Sequence, residues 1–387
     1  MESTPRLYHT LVKVLSQHRK WLDARHLQTL AWMMVGLAQS SRVNLDAWVP
    51  YVHSRATYAQ STVRRFRRWL NNERIQVHHL YGPLIQQALA EWGEYVLYLA
   101  LDTSLLWDKY CMVRISVIYR GRAIPIVWQV LEHGSSSVAY EVYRSLLGQA
   151  AALLPLGCRV VFLADRGFAD TDLMADLRDL GWHWRIRIKD IFYVYRRGHR
   201  GCKVNAISLA RGQAHFWHHV SITAERFGPV HLALARPHHS QESWFVVSDE
   251  PTDVHTLDEY GLRFDIEENF LDDKSNGFQL ESSLLRSAQA LARLCFVLAL
   301  TTLYLVSQGV EVVKQGKRRW VDPHWFRGKS YLKIGWDWVK TALSKGLELI
   351  TRLHLPGEPD PEPAISSKNQ FMHQPQLCFS VEFVSYA

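Results

Sequence analysis

The chain has 387 residues, 48% of them hydrophobic and 21% charged, which allows a large buried core and excludes disordered and fibrous classes. A net charge of +8 with nineteen histidines counted as neutral, and a pI near 9.2, favours polyanionic partners such as nucleic acid or an anionic membrane, without choosing between them. Cys111, Cys158, Cys202, Cys295 and Cys378 are odd in number and show no CxxC spacing, which argues against a zinc site or disulfide framework and suits a reducing cytoplasm.

The N-terminus, MESTPRLYHT, lacks a basic-then-apolar signal pattern. Residues 5–93 show helical apolar spacing, clearest through Leu27–Leu37 and Leu80–Trp92. Within them, Ser61-Thr-Val-Arg-Arg-Phe-Arg-Arg-Trp-Leu starts with a capping residue and puts Val63, Phe66 and Leu70 on one side of a helix. Arg64, Arg65, Arg67 and Arg68 spread over the other side. Four arginines can be a plain solvated face. If a phosphodiester site lies elsewhere in this basic chain, they are better read as DNA-backbone contacts, which give affinity and register rather than sequence discrimination.

After Tyr95 the pattern turns to strands at 96–103, 110–119 and 123–131, an antiparallel meander with an Arg120-Gly-Arg turn. A helix around 138–154, a strand reaching Asp165, a helix around 171–180 and a strand at 183–188 follow. Asp102 closes the apolar run Val96-Leu-Tyr-Leu-Ala-Leu, and Asp165 closes Arg159-Val-Val-Phe-Leu-Ala before Arg166-Gly167-Phe168. A carboxylate at the end of a buried strand is costly unless it is paired or metal-bound. This succession resembles that of a ribonuclease-H-like domain, in whose strand order the first and fourth strands would be neighbours and would bring the two aspartates together.

Residues 190–251 alternate strand-like runs with Gly, Arg and His loops, a β-rich insertion containing the basic segment Arg196–Lys203. Trp217 and Trp244 are candidates for stacking on an unpaired base, although core burial is the commoner fate of tryptophan. Then comes Tyr260-Gly-Leu-Arg-Phe-Asp-Ile-Glu-Glu-Asn-Phe-Leu-Asp-Asp-Lys274, preceded by the helix starters Thr252, Asp253 and Thr256. Leu262, Ile266 and Phe270 recur every fourth residue, so one continuous helix is predicted. At about 100° per residue, Tyr260, Arg263, Glu267 and Lys274 share an arc of roughly 60°, while Asp265, Glu268 and Asp272 point elsewhere. Read alone, Arg263 and Glu267 are a surface i,i+4 pair worth a few tenths of a kcal/mol. Together with Asp102 and Asp165, Glu267 completes an oxygen-only ligand set of the kind Mg2+ takes, with room left for water and phosphate.

Leu294–Val306 is the longest strongly apolar run, too short to span a bilayer, and reads as a buried helix bounded by Arg293 and Gln308. No membrane role is expected. Lys314, Lys317, Arg318 and Arg319 begin a basic, aromatic segment through Trp338, and Pro356-Gly-Glu-Pro-Asp-Pro-Glu-Pro363 reads as a disordered or extended tail. Gly328-Lys329-Ser330 imitates the end of a P-loop, but Pro323 stands where that motif needs glycine, so no nucleotide cofactor is expected.

The Y-x2-R-x3-E-x6-K spacing of Tyr260, Arg263, Glu267 and Lys274 resembles bacterial DDE transposases of the insertion sequence four family. The likeness includes Asp102 in LALDTS, Asp165 in LADRGF and the Lys274-Ser-Asn-Gly277 continuation, and covers roughly residues 96–290. It implies an α/β fold with a ribonuclease-H-like core, a mixed sheet flanked by helices, interrupted by a β-rich insertion between the second aspartate and the glutamate. The expected organisation is a helical DNA-binding domain at 1–94, a catalytic domain at 95–310 with its insertion at about 190–251, and a C-terminal segment at 311–387. The resemblance further implies cleavage of double-stranded DNA at terminal inverted repeats and joining of the 3′-hydroxyl to target DNA. Asp102, Asp165 and Glu267 would hold two Mg2+ ions, with Mn2+ able to substitute. Tyr260, Arg263, Lys274 and, more weakly, Arg166 would hold phosphates. A homodimer on paired ends and a bacterial cytoplasmic, nucleoid-associated location are the remaining expectations. Two other readings stay open: a nuclease that only hydrolyses DNA, and a DNA-binding regulator that no longer transposes. For metal binding the three carboxyl groups should converge on ions roughly 3.5 to 4 Å apart, and Glu268 should face away.

Overall fold

Among the described residues, the segment before residue 90 forms only helices: α1 (Ser3–Leu15), α2 (Ala24–Ser40), the short α3 (Leu45–Trp48), α4 (Ala59–Leu70) and α5 (Val77–Ala88). The computed structural model describes residues 3–18, 21, 23–238, 242–364 and 380–384; Cys378 lies outside that set. Helix α2 buries an unbroken run from Thr29 to Ala38, as a helix enclosed on all sides does. Helix α4 is amphipathic instead, with Val63, Phe66, Trp69 and Leu70 inward and Arg64, Arg67 and Arg68 exposed.

The chain then continues through β1 (Val96–Leu106), β2 (Tyr110–Ile118), β3 (Ala123–Leu131), α6 (Tyr140–Ala151), β4 (Arg159–Ala164), α7 (Thr171–Asp179) and β5 (His183–Arg187). Five further strands follow, β6 (Tyr193–Tyr195), β7 (Cys202–Lys203), β8 (Gln213–Ile222), β9 (Phe227–Arg236) and β10 (Trp244–Ser248). Helices α8 (Val254–Gly261), α9 (Phe264–Leu271), α10 (Ala288–Lys314) and α11 (Tyr331–Lys345) come next, and β11 (Ser380–Val384) is last.

All strands join one eleven-stranded mixed sheet in the order β3-β2-β1-β4-β5-β10-β9-β8-β6-β7, with β11 parallel to β8. Strands β1, β4 and β5 run parallel to one another, and β2 and β3 form the antiparallel meander beside them. Every residue of β2 is buried, so helices and loops cover it on both faces. Residues 190–251 carry β6 to β10, and β10 pairs with β5 from Val246↔Arg187 to Ser248↔Arg185, so this segment carries the sheet straight on. Trp217 and Trp244, at 5% and 7% exposure, are core residues rather than stacking surfaces.

Helix α10 is 27 residues long, about twice the apolar run visible in the sequence. Arg293 and Gln308, expected to bound it, lie inside it. Arg293 donates Nη1 to the Leu70 carbonyl at 3.1 Å, and Gln308 donates to Ile350 at 3.3 Å, so both satisfy carbonyls of neighbouring segments. By length and composition alone α10 could cross a membrane, yet 94% of its most apolar window is buried inside the protein. It packs on α2, α4, α5, β3 and α11. At the α11 crossing a Cβ on Gly335 would lie 1.7 Å from the Leu305 carbonyl oxygen, and one on Gly309 would lie 2.1 Å from that of Tyr331. Only glycine permits that approach.

One apolar cluster runs from Leu7 in α1 through the sheet to Leu355, and a smaller one lies between β8, β9, β10 and α8. Pro356–Pro363 is extended but anchored, since Arg318 pairs with Glu362 at 2.5 Å and Arg327 with Asp360 at 2.8 Å. The acids of this run neutralise buried arginines, which composition alone does not reveal.

Candidate active site

The parallel ladder of β1 and β4 ends at Leu101↔Ala164, so Asp102 and Asp165 are the next residue on each of two adjacent strands. Strand β4 stops there and turns into the 3-10 turn Arg166–Phe168, whereas β1 continues to Leu106 on its β2 side. Asp102 therefore lies within a strand, at the end of its parallel pairing.

The segment carrying Glu267 is not one helix. Helix α8 starts with a capping box in which Asp253 Oδ1 accepts from Thr256 N at 3.2 Å and Thr256 Oγ1 accepts from Asp253 N at 3.0 Å. It ends at Gly261, and i to i−3 bonds replace the α pattern: Arg263 N donates to Tyr260 O at 3.0 Å and Ile266 N to Arg263 O at 3.1 Å. After α9 the turn widens to a π-helix over Asp272–Asn276. The tightened junction redirects Tyr260 and Arg263 inward.

Arg263, 4% exposed, donates Nη1 to Asp102 Oδ2 at 3.2 Å and Nη2 to Glu267 Oε1 at 2.6 Å. Tyr260 is fully buried against Trp244 and Phe264, with its hydroxyl 3.5 Å from Asp165 Oδ1. The three carboxylates expected from the sequence thus meet around one guanidinium and one phenol. Burial pushes the Asp102 carboxyl up to about 6; the charges of Glu267 and Asp165 add to this, while Arg263 and the Thr103 N–H oppose it. Burial likewise raises Tyr260 to about 12, so the phenol remains protonated.

Among the described residues, the group of three whose ligand atoms all lie within 4.8 Å of one another is His183, Asp249 and Glu250; Asp102, Asp165 and Glu267 do not close to that spacing, because Arg263 stands between two of them. Tyr260 and Arg263 are both buried; the Tyr260 hydroxyl and Arg263 Nη1 and Nη2 face the carboxylates, while Arg263 Nε has no hydrogen-bond partner. Lys274 donates Nζ to the Leu105 carbonyl at 2.5 Å and ties the π-helix to β1. Arg166 is half exposed, 3.9 Å from Glu242. Glu268 lies close enough to Asp265 and Asp272 for its charge to help raise both carboxyls, which burial raises most and Arg122 opposes. Of the α4 arginines, Arg65 differs from its exposed neighbours: it is partly buried over the Phe66 ring, and desolvation lowers its pKa.

The residues that support the site carried a weaker mark in the sequence and were not expected from it. Arg114 on β2, cross-strand partner of Asp102, is 1% exposed and reaches α9 and the π-helix through Asn269 Oδ1 at 2.6 Å and Asp273 Oδ2 at 2.7 Å. An arginine amid the apolar residues of β2 was the available signal. Arg185 binds Glu259 at 2.7 Å and Glu250 at 2.9 Å, and Tyr98 donates to Glu259 at 2.8 Å, which fastens α8 to the sheet. The His183, Asp249 and Glu250 group is already matched by Arg159 and Arg185.

The donor set of the candidate site is oxygen only, and the half-buried Asp102 shares the Arg263 guanidinium with Glu267, which fits a hard divalent cation in kind. Such an ion would have to share Asp102 or Glu267 with Arg263.

No curated protein matches the chain in sequence. Among solved structures, a piggyBac transposase synaptic complex with hairpin DNA aligns at 11% identity and a TM-score of 0.41, over 94% of this chain and 85% of that one. The family profile described as Transposase DDE domain matches residues 107–304, beginning just after Asp102 and spanning Asp165, Glu267 and Lys274. That match covers just over half of the 387 residues, and the chain belongs to the transposase DDE domain family.

Proposed function

We propose that the protein is a DNA transposase of the insertion sequence four type, which cuts double-stranded DNA at the ends of a mobile element and joins the freed 3′-hydroxyl to target DNA. One observation carries this reading: Asp102 and Asp165 end the same parallel ladder, and Glu267 is held to Asp102 through Arg263. Further support comes from the β3-β2-β1-β4-β5 part of the sheet, which has the strand order of a ribonuclease-H-like core.

Asp102, Asp165 and Glu267 would hold the divalent ions, two Mg2+ or Mn2+ in their place, which supply activation of the attacking oxygen and stabilisation of the leaving one. The chain's own residues orient that chemistry. Tyr260 fixes the Asp165 carboxylate through its hydroxyl, and Arg263 holds Asp102 and Glu267 until a phosphate competes for its guanidinium. Lys274 and the half-exposed Arg166 would contact the flanking phosphates. Hydrolysis of the phosphodiester leaves a 3′-hydroxyl, and attack by that hydroxyl on a target phosphodiester displaces one bridging oxygen. Arg64, Arg67 and Arg68 contact the DNA backbone outside the site. The working form is a homodimer on paired ends in the bacterial cytoplasm.

The test is incubation with linear DNA carrying the inverted repeats that flank the coding region. Cleavage and joined products that require Mg2+ or Mn2+ and vanish in Asp102→Asn are expected. Cleavage without joining would favour the hydrolysis-only nuclease, and binding without cleavage the regulator.

A further inference from the structure

Between α10 and α11 the chain turns aromatic rings toward solvent. Trp320 is 58% exposed, Trp325 82% and Phe326 48%. Cations accompany them: the Arg319 guanidinium lies 4.2 Å from the centre of the Trp325 ring, and the Lys317 ammonium lies 5.8 Å from that of Trp338, which tilts against Trp320. Single exposed aromatics are ordinary, but three in one short loop are not.

The loop is held open from beneath. Arg318, 5% exposed, donates Nη1 to the carbonyls of His324 at 3.0 Å and Phe326 at 3.1 Å, and Nη2 to that of Trp325 at 3.1 Å. Asp322, fully buried, accepts from Arg318 at 3.3 Å, from the His324 N–H at 3.3 Å and from the Gly328 N–H at 3.0 Å. These bonds fix the backbone under Trp325 and Phe326 before any partner arrives, so little ordering cost remains for the loop. The acids nearby are matched within the fold, Glu362 by Arg318, Asp360 by Arg327 and Asp337 by Lys329. A second copy of this +8 chain would bring like charge to the patch. Duplex DNA keeps its base faces stacked. An unpaired strand offers both free base faces and phosphates, the chemistry that exposed aromatics beside cations receive.

We propose that the loop from Lys317 to Phe326 binds an unpaired stretch of DNA, with a base stacked on Trp325 and adjacent phosphates on Arg319 and Lys317. This rests on the transposase reading only in taking the strand to be DNA. The test uses the full chain without divalent metal, so it is independent of cleavage and of the Asp102 site. Fluorescence anisotropy is measured with a labelled dodecathymidylate and with a blunt duplex of equal length. Trp325→Ala should weaken the single strand about tenfold, as expected for removing one stacked base, and change the duplex by less than about twofold. Trp325→Phe should restore most of the difference. Arg319→Ala should make the single-strand salt slope shallower by about 0.7. Unchanged dodecathymidylate binding in Trp325→Ala, an equal weakening on both probes, or no binding by the parent chain would overturn the proposal. So would a concentration-dependent dimer, seen by sedimentation, that Trp325→Ala abolishes, since that assigns the face to a second copy. Because Trp325 is exposed, the melting temperature of each variant should match the parent.

Discussion

Replacing Asp102 with asparagine should stabilise the protein at neutral pH while abolishing cleavage. Burial lifts the carboxyl from 3.8 to about 6, with Glu267 and Asp165 adding and Arg263 and the Thr103 N–H opposing. An acid raised in this way binds its proton in the folded state before it does in the unfolded one. Stability is therefore greatest below the unfolded value and falls as pH rises through about 6. At 1.36 kcal/mol per pH unit the span corresponds to about 3 kcal/mol at pH 7. Asparagine keeps the shape of the side chain and an oxygen for the Thr103 N–H, which Asp102 Oδ1 accepts at 2.7 Å. It cannot ionise, so it should recover up to about 3 kcal/mol at pH 7 and little at pH 4. With an unfolding entropy of about 2.1 cal/mol/K per residue, that is a rise in melting temperature of about 4 °C for a chain this long. Thermal melting followed by circular dichroism at the two pH values, in EDTA, reads it directly. Added Mg2+ should raise the melting temperature of the parent and leave the variant unmoved. A variant that melts below the parent at pH 7, or that keeps its full advantage at pH 4, would refute the reasoning.

Other substitutions should separate support, binding and chemistry. Arg114→Met leaves Asp273 buried without its partner and should cost about 3 to 5 kcal/mol, and a second change, Asp273→Leu, should return most of it in the same melting assay. Alanine at Arg64, Arg67 and Arg68 should make the slope of log K against log salt shallower by about 0.9 for each phosphate that is no longer neutralised, as measured by titration of duplex binding. Arg65→Ala should instead act on stability, because that side chain packs over Phe66 beside Tyr8. Lys274→Ala should leave end binding within about twofold and lower single-turnover cleavage ~10- to 100-fold, since it removes an anchor between the π-helix and β1.

The strands of the first half were legible because long apolar runs with β-branched residues leave little alternative, and the β1 to β4 neighbourhood followed from their order. The break after Gly261 was not legible. Leu262, Ile266 and Phe270 keep a four-residue beat straight through it, and only the packing of Tyr260 on Trp244 and Phe264 shows why the chain tightens there. The extension of the sheet through β10 was hidden for a similar reason: its partner β5 lies far back in the chain, and strand pairing over such a distance leaves no local mark. Arg293 and Gln308 looked like helix ends because they are polar. Their partners, the Leu70 and Ile350 carbonyls, belong to segments remote in sequence.

The same remoteness explains the altered meaning of Arg263. On an isolated helix its i,i+4 contact with Glu267 would be worth a few tenths of a kcal/mol and would be screened by solvent. Here the 3-10 junction turns the guanidinium beneath β1, where Asp102 is held by the sheet and cannot retreat. Bringing carboxylates close to one another requires a compensating cation, and Arg263 is a cation in contact with both Asp102 and Glu267. Glu267 is the looser of its two partners, with 49% of its side chain exposed against 18% for Asp102. A divalent ion entering the site would therefore meet a fixed ligand in Asp102 and an adjustable one in Glu267. The arrangement of Asp102 and Glu267 on either side of Arg263 is the one electrostatics favours for two carboxylates sharing a guanidinium.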